Sequence, residues 1–226
     1  MIKCIAVSSA NDCAVAMAEH ICGSEAAFTK RMNERAQALG MENTHFLNST
    51  GLTDDPAHYT TARDIAVMSR ALLAYPRIRD YTTIWMDTVR DGRFGLANTN
   101  KLIHGYPGAT GLKTGYTKAA GRTLVSCAEK NGQRLIAVVL GCENPKDAQG
   151  NIQRMQFSES SSLLKWGFEN FSVHTILDAT SPVAEVPVTL SSDSDYVSVV
   201  VDGTLEAQLP NDVTSDDFQW STDLPD

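Results

Sequence analysis

The chain has 226 residues, 42% of them apolar, and a formal net charge of −8. That length and apolar content allow one or two domains with a proper buried core. No stretch approaches the ~18 consecutive apolar residues of a membrane span, and no basic cluster could neutralise phosphates, which excludes nucleic acid as a partner.

The charge is unevenly spread. Residues 1–170 hold all 19 Lys and Arg against 16 acids, a balance of +3, whereas residues 171–226 hold 11 acids and no base. That break marks a domain boundary near Phe171. Five cysteines, Cys4, Cys13, Cys22, Cys127 and Cys142, are odd in number and lack a Cys-x-x-Cys pair. They read as small buried hydrophobes, not as a disulfide framework or a zinc site. His20, His45, His58, His104 and His174 fall one per element without metal-ligand spacing, so neither a metal nor a cofactor is expected. Met1 to Val7 is too short for a secretory signal, and taken literally the chain reads as soluble and cytoplasmic.

In chain order, the apolar Ile2 to Val7 leads into Ser8-Ser9-Ala10-Asn11-Asp12, followed by an alanine-rich helical pattern from Cys13 to Cys22 that Gly23 stops. The Ser/Asn/Asp cluster is a natural N-cap, the plainer reading of Ser9-Ala10-Asn11. A second amphipathic helix is predicted over Ser24 to Leu39, ending at Gly40. Asn43 to His58 reads as a loop, and Thr61-x-x-Asp64 opens a third helix that stops before Pro76. From Tyr81 the texture changes to strands and turns. Trp85 to Leu96 predicts a hairpin around Asp91-Gly92, and Asn98 to Pro107 a loop. Ala109 to Gly121 contains a short polar strand bounded by glycines, with Lys113-Thr114-Gly115 at its centre. Arg122 to Glu129 and Gln133 to Leu140 predict a hairpin across Asn131-Gly132. Ile152 to Phe168 reads as a closing helix. Helices, then an antiparallel sheet, then a covering helix make an α+β layered domain. Beyond Phe171, Ala184 to Leu190 and Tyr196 to Val201 read as strands of a small β segment.

A lysine, a small hydroxyl residue and a glycine on one strand suit an anionic ligand. The ammonium supplies charge, Thr114 a directed hydrogen bond, and Gly115 removes a side chain that would block close approach. Gly105-Tyr106-Pro107-Gly108 is a turn and lacks the helix that a phosphate loop needs.

Several features coincide in order: Ser9-Ala10-Asn11 opening a helix, Lys113-Thr114-Gly115 on a strand, and Leu163-Leu164-Lys165-Trp166-Gly167-Phe168 closing the domain. With Asn43-Thr44-His45-Phe46 and Asn48-x-x-Gly51-Leu52, the chain resembles the D-alanyl-D-alanine carboxypeptidases, the low-molecular-mass penicillin-binding proteins. The resemblance implies a β-lactamase/transpeptidase-like domain over residues 1–170, with 171–226 as part of a β-rich C-terminal domain. It also implies an acyl-enzyme serine carboxypeptidase of peptidoglycan metabolism, located outside the cytoplasm at the cell envelope. Its substrates would be muramyl peptide stems ending in D-Ala-D-Ala, and β-lactams its inhibitors.

By the same resemblance, Ser9 relays a proton toward the leaving D-alanine, and Asn11 bonds the substrate amide. Lys113 and Thr114 hold the terminal carboxylate, Lys113 also supports proton traffic, and Gly115 clears the strand. The backbone N–H of Tyr116 serves as an oxyanion-hole donor. The family places a Ser-x-x-Lys nucleophile upstream of Ser-x-Asn. Here the only match is Ser162-Leu163-Leu164-Lys165, which falls mid-helix, so the chain is read as N-terminally truncated and, as given, inactive. A non-catalytic peptidoglycan- or partner-binding relic is the alternative. In the closing helix Gln156 stands where many members have Arg, and Arg154 is expected about 160° away from that face.

Overall fold

The computed structural model describes residues 1–190, 192–214, 217–219 and 221. It divides into two compact units, Met1–Trp166 and Gly167–Asp226; the last residues of the predicted C-terminal segment lie outside the described residues.

The first unit begins with α1 (Ile2–Ser8), α2 (Asn11–Cys22), α3 (Glu25–Ala38) and α4 (Ala62–Leu73). Gly23, at φ 79, ends α2 in the left-handed region that glycine enters without a Cβ penalty. Ser24 caps α3 by accepting from the Ala27 N–H at 3.1 Å, and Thr61 caps α4 by accepting from Asp64 N–H at 3.1 Å. The carboxylate expected to complete a capping box at α4 is used otherwise. Asp64 is buried and accepts from the Asn43 N–H at 2.9 Å and the Thr44 hydroxyl at 2.7 Å, tying down the loop after α3.

That loop is the segment whose Asn43-Thr44-His45-Phe46 and Asn48-x-x-Gly51 carried part of the resemblance, and its residues are architectural. Asn33 on α3 pairs with both the N–H and the C=O of Phe46 at 2.8 Å, and His45 bridges Tyr59. Asn48 Oδ1 accepts from Thr50 N–H at 3.2 Å in an Asx turn and also from Gly51 N–H at 2.7 Å. The Glu25 carboxyl lies below its ordinary range because the Ser49 hydroxyl and N–H both donate to it. Between α3, α4 and this loop lies an apolar groove of about 340 Å³ lined by Phe28, Met32, Leu39, Phe46 and Met68.

After a 3₁₀ turn at Pro76–Ile78 and the short α5 (Arg79–Thr82), β1 (Met86–Val89) and β2 (Phe94–Ala97) form the expected hairpin. Its turn takes positive φ at Arg90, Asp91 and Gly92. The stretch from Asn98 to Pro107, expected as loop, contains the short helix α6 (Leu102–Gly105), whose Leu102 is buried. The turn at Gly105–Gly108 closes with the Ala109 N–H on the Tyr106 carbonyl at 3.1 Å. The sheet follows as β3 (Ala109–Thr117), β4 (Gly121–Lys130) and β5 (Gln133–Cys142), antiparallel in the order β3-β4-β5. The β4–β5 turn has positive φ at both Asn131 and Gly132, the backbone that an Asn-Gly pair provides. Leu112, Leu124, Cys127, Ala128 and Ala137 are buried apolar residues of the sheet.

The closing helix α7 is Met155–Asn170, starting later than expected. Ile152 sits in an isolated bridge with Lys146, and Arg154 precedes the helix, so the predicted angle between it and Gln156 does not apply. Gln156 and Ser160, one turn apart, are buried, and Gln156 Oε1 and Ser160 Oγ have no hydrogen-bond partner among the described residues.

The cysteines are all free, but only Cys127 is buried; the other four are half-exposed, because they sit at helix and strand rims and not in the sheet layer. Among its described residues the second unit holds two two-stranded antiparallel sheets, β6 (Phe171–Leu177) with β9 (Leu205–Pro210) and β7 (Ala184–Pro187) with β8 (Tyr196–Val199). β7 and β8 match the expected strands. β6 and β9 were not expected: Phe171–Leu177 directly continues the helix, and Leu205–Pro210 contains no β-branched residue.

Candidate active site

Ser9 stands between α1 and α2. Its backbone is left-handed, φ 57 and ψ 42, which costs a non-glycine residue roughly 1 kcal/mol or more. This reversal ends α1 and lets α2 restart at Asn11. The capping expectation for the Ser/Asn/Asp cluster is therefore corrected. Ala10 is the N-cap, no side chain caps α2, and Asn11 is its first helical residue. Among the described residues, Asp12 Oδ1 accepts only from the adjacent Cys13 N–H. The Ser9 hydroxyl is thus not occupied by the helix end and instead accepts from Lys113 Nζ at 2.8 Å.

Lys113 lies on β3, an edge strand of the sheet, opposite Val125 of β4. Its ammonium also donates to the Thr114 carbonyl at 2.8 Å, and it forms no ion pair among the described residues. Burial without a counter-charge pushes its pKa down to about 8. An ammonium held by two neutral oxygens and stripped of water suits an incoming anion, and it sits close enough to neutrality to take part in proton transfer.

Next along the strand, the Thr114 hydroxyl donates to the Thr99 hydroxyl at 2.6 Å. Gly115 lies directly opposite Thr123. A Cβ built there would come within 2.5 Å of Thr123 Oγ1, so this glycine also gives clearance toward the neighbouring strand. Tyr116 is exposed and pairs with Arg122, whose guanidinium carbon stands 4.8 Å from the ring centroid. Arg122 is in turn held by Asn144 at 2.6 Å. Asn11 is exposed at the start of α2, and its side chain has no hydrogen bond among the described residues.

Ser9 and Lys113, separated by 104 positions, are thus in direct contact; Thr114, Gly115 and Tyr116 continue the same strand edge, and Asn11 lies two residues beyond Ser9. What the sequence reading passed over is the segment that joins the two halves. The Thr99 N–H donates to the Val7 carbonyl at 3.1 Å, two residues before Ser9, while its hydroxyl takes the Thr114 proton. Asn98 and Asn100 flank it, both buried. Asn98 donates to the Ile84 carbonyl at 2.7 Å and accepts from Asn100 N–H at 2.8 Å. Asn100 donates to the Gly111 carbonyl at 3.0 Å and accepts from Leu102 N–H at 3.1 Å. The Thr82 hydroxyl donates to the Thr110 carbonyl at 2.7 Å, fixing the start of β3. The only signal for this segment was two asparagines two apart, which also fits an ordinary turn. Ser162 of the Ser-x-x-Lys match is exposed in the middle of α7, with helix on both sides.

Residues 1–144 match the family model described as D-alanyl-D-alanine carboxypeptidase. The chain is 42% identical over 191 residues to the D-alanyl-D-alanine carboxypeptidase DacF of Bacillus subtilis (strain 168), an alignment covering 83% of this chain and 47% of the relative. It is 34% identical over 215 residues to DacA of Escherichia coli (strain K12), covering 93% of this chain and 50% of the relative. The chain therefore spans about half the length of the curated relatives it matches. Among solved structures, the peptidoglycan synthesis regulatory factor PBP3 from Streptococcus pneumoniae superposes with a TM-score of 0.75 at 27% identity, covering 94% of this chain and 63% of that one. Penicillin-binding protein D2 from Listeria monocytogenes, in its ampicillin-bound form, superposes with a TM-score of 0.61 at 30% identity, covering 73% of this chain and 65% of that one. With the fold, the sheet-edge motif and these likenesses in agreement, the chain belongs to the D-alanyl-D-alanine carboxypeptidase family, the low-molecular-mass penicillin-binding proteins.

Proposed function

We propose that this chain carries the recognition and proton-transfer half of a serine-type D-Ala-D-Ala carboxypeptidase acting on peptidoglycan stem peptides outside the cytoplasm. The observation that carries the reading is the 2.8 Å contact between Lys113 Nζ and Ser9 Oγ, with the lysine pushed down to about 8 and no ion pair to satisfy it among the described residues. Ser9, Asn11 and Lys113 are the proposed catalytic groups; Lys113, Thr114, Gly115 and Tyr116 form the proposed substrate-binding strand, within a domain spanning residues 1–170. The C-terminal carboxylate of the stem peptide docks on Lys113 and Thr114. The substrate amide meets Asn11, and the Tyr116 N–H stabilises the oxyanion of the tetrahedral intermediate. The Ser9 hydroxyl passes a proton between Lys113 and the departing D-alanine nitrogen. Acylation itself requires the serine of a Ser-x-x-Lys element. β-Lactams, whose carboxylate and acyl carbonyl follow the same pattern, are the proposed inhibitors. Among the described residues no helix is long and apolar enough to cross a membrane.

The test is release of D-alanine from diacetyl-L-Lys-D-Ala-D-Ala, with acylation by fluorescent penicillin, in the protein expressed from its complete reading frame. Lys113→Ala leaves the ligand carboxylate unpaired, a loss of about 2–5 kcal/mol, or roughly 30- to 5000-fold in acylation. A Lys113→Ala variant within twofold of wild type would remove the reading.

A further inference from the structure

A hydroxyl has one proton to give. In the observed arrangement the Thr114 hydroxyl gives its proton to Thr99, so it cannot at the same time donate to a carboxylate. The Thr99 hydroxyl accepts that bond, and its own proton has no acceptor among the described residues. Thr99 is exposed, yet its backbone is anchored on all sides. Its N–H is bound to Val7, and its neighbours Asn98 and Asn100 are buried and bonded to the Ile84 and Gly111 carbonyls. A threonine held this firmly cannot follow Thr114 if that side chain turns. With its backbone fixed, its side chain can turn only locally, which reverses the direction of the bond between them.

We propose that Thr99 is a positioning residue for the carboxylate site. When a ligand carboxylate takes the Thr114 proton, Thr99 donates its own proton to the Thr114 oxygen. With a small turn of the Thr99 side chain, the pair becomes a relay from Thr99 to Thr114 to carboxylate, with no hydroxyl left unpaired. Polarisation along such a chain strengthens the terminal bond to the anion. The same segment links the Ser9 turn, through Val7, to the Lys113–Thr114 edge, through Gly111 and Thr114, so it holds the two halves of the site at one spacing. This inference rests on the reading of Lys113 and Thr114 as the carboxylate site, and the test separates the two.

The chain is titrated by NMR with diacetyl-L-Lys-D-Ala-D-Ala and, separately, with the same peptide as its C-terminal carboxamide. Thr99→Val is close to isosteric and keeps the N–H bond to Val7. It should weaken the carboxylate peptide by roughly tenfold, the size of a hydrogen bond to a charged group, and leave the carboxamide unchanged. Thr99→Ser, which restores the hydroxyl, should recover most of the loss, and this variant also answers any folding defect of the valine. If Thr99→Val binds both peptides like wild type while Lys113→Ala loses the carboxylate peptide, the inference is overturned and the site reading stands. Equal weakening of both peptides by Thr99→Val, unrescued by serine, overturns it in favour of a merely structural role. If wild type does not prefer the carboxylate, and Lys113→Ala changes nothing, both fall together.

Discussion

Replacing Lys113 by methionine should leave the folded chain about as stable as wild type at neutral pH and make it less stable at high pH. Methionine matches the length of the lysine stem and needs no water. The lysine titrates at about 8, down from 10.5, because burial strips its ammonium of solvent without an ion pair to compensate. That drop corresponds to roughly 3 kcal/mol, reduced toward 2 by the part of the side chain that solvent still reaches. Since the folded pKa lies below the unfolded one, the cost is fully present below pH 8, where both states carry the charge. Between pH 8 and 10.5 the folded protein releases a proton that the unfolded chain keeps, so stability rises with pH, and above 10.5 the cost is gone. Against this, methionine forfeits the hydrogen bonds to Ser9 and the Thr114 carbonyl, about 1 kcal/mol each. Urea unfolding of both proteins at pH 7 and pH 10.5 measures the outcome, because every other titrating group is common to the pair. The difference should shift against methionine by about 2–3 kcal/mol across that interval. A difference constant to within 0.5 kcal/mol would refute the desolvation argument, and with it the claim that this lysine awaits an anion.

Ser9→Gly and Ser9→Ala both remove the hydroxyl, so the stability gap between them isolates the left-handed backbone at φ 57; glycine should be more stable by about 1 kcal/mol in urea melts. Asn100→Ala strands the Gly111 carbonyl and the Leu102 N–H in a buried place and should cost about 2–4 kcal/mol, read the same way. Gly115→Ala should weaken peptide binding through the collision with Thr123 Oγ1, and Thr123→Ala should rescue it; without rescue, the glycine serves ligand approach and not strand packing. Cys127, buried in the sheet with its thiol pushed up to about 12, should be the last of the five cysteines alkylated by iodoacetamide at pH 8, as peptide mapping would show.

The sequence by itself determined the elements whose cause is local. Ser24 and Thr61 cap their helices, Gly23 stops one, and Asn131-Gly132 turns a hairpin, because each depends on residues within a few positions. Lys113-Thr114-Gly115 was legible for the same reason: charge, hydroxyl and clearance sit on one short strand. The second unit was half legible, since β7 and β8 are marked off by Pro, Ser and Asp turns, whereas β6 runs on from α7 without a break, β9 has no β-branched residue, and the two are defined by pairing with each other across a long separation. Only the tertiary structure decided the role of Ser9. Local propensity favoured a cap, but α1 forces a left-handed reversal that takes the hydroxyl away from the α2 terminus and presents it to a lysine 104 positions away. It likewise decided Thr99, which in the sequence is one polar residue in an Asn-Thr-Asn turn. Its position comes from carbonyls of Val7, Ile84 and Gly111, three separate segments that meet only in the folded chain, and no periodicity in the sequence encodes a meeting of that kind.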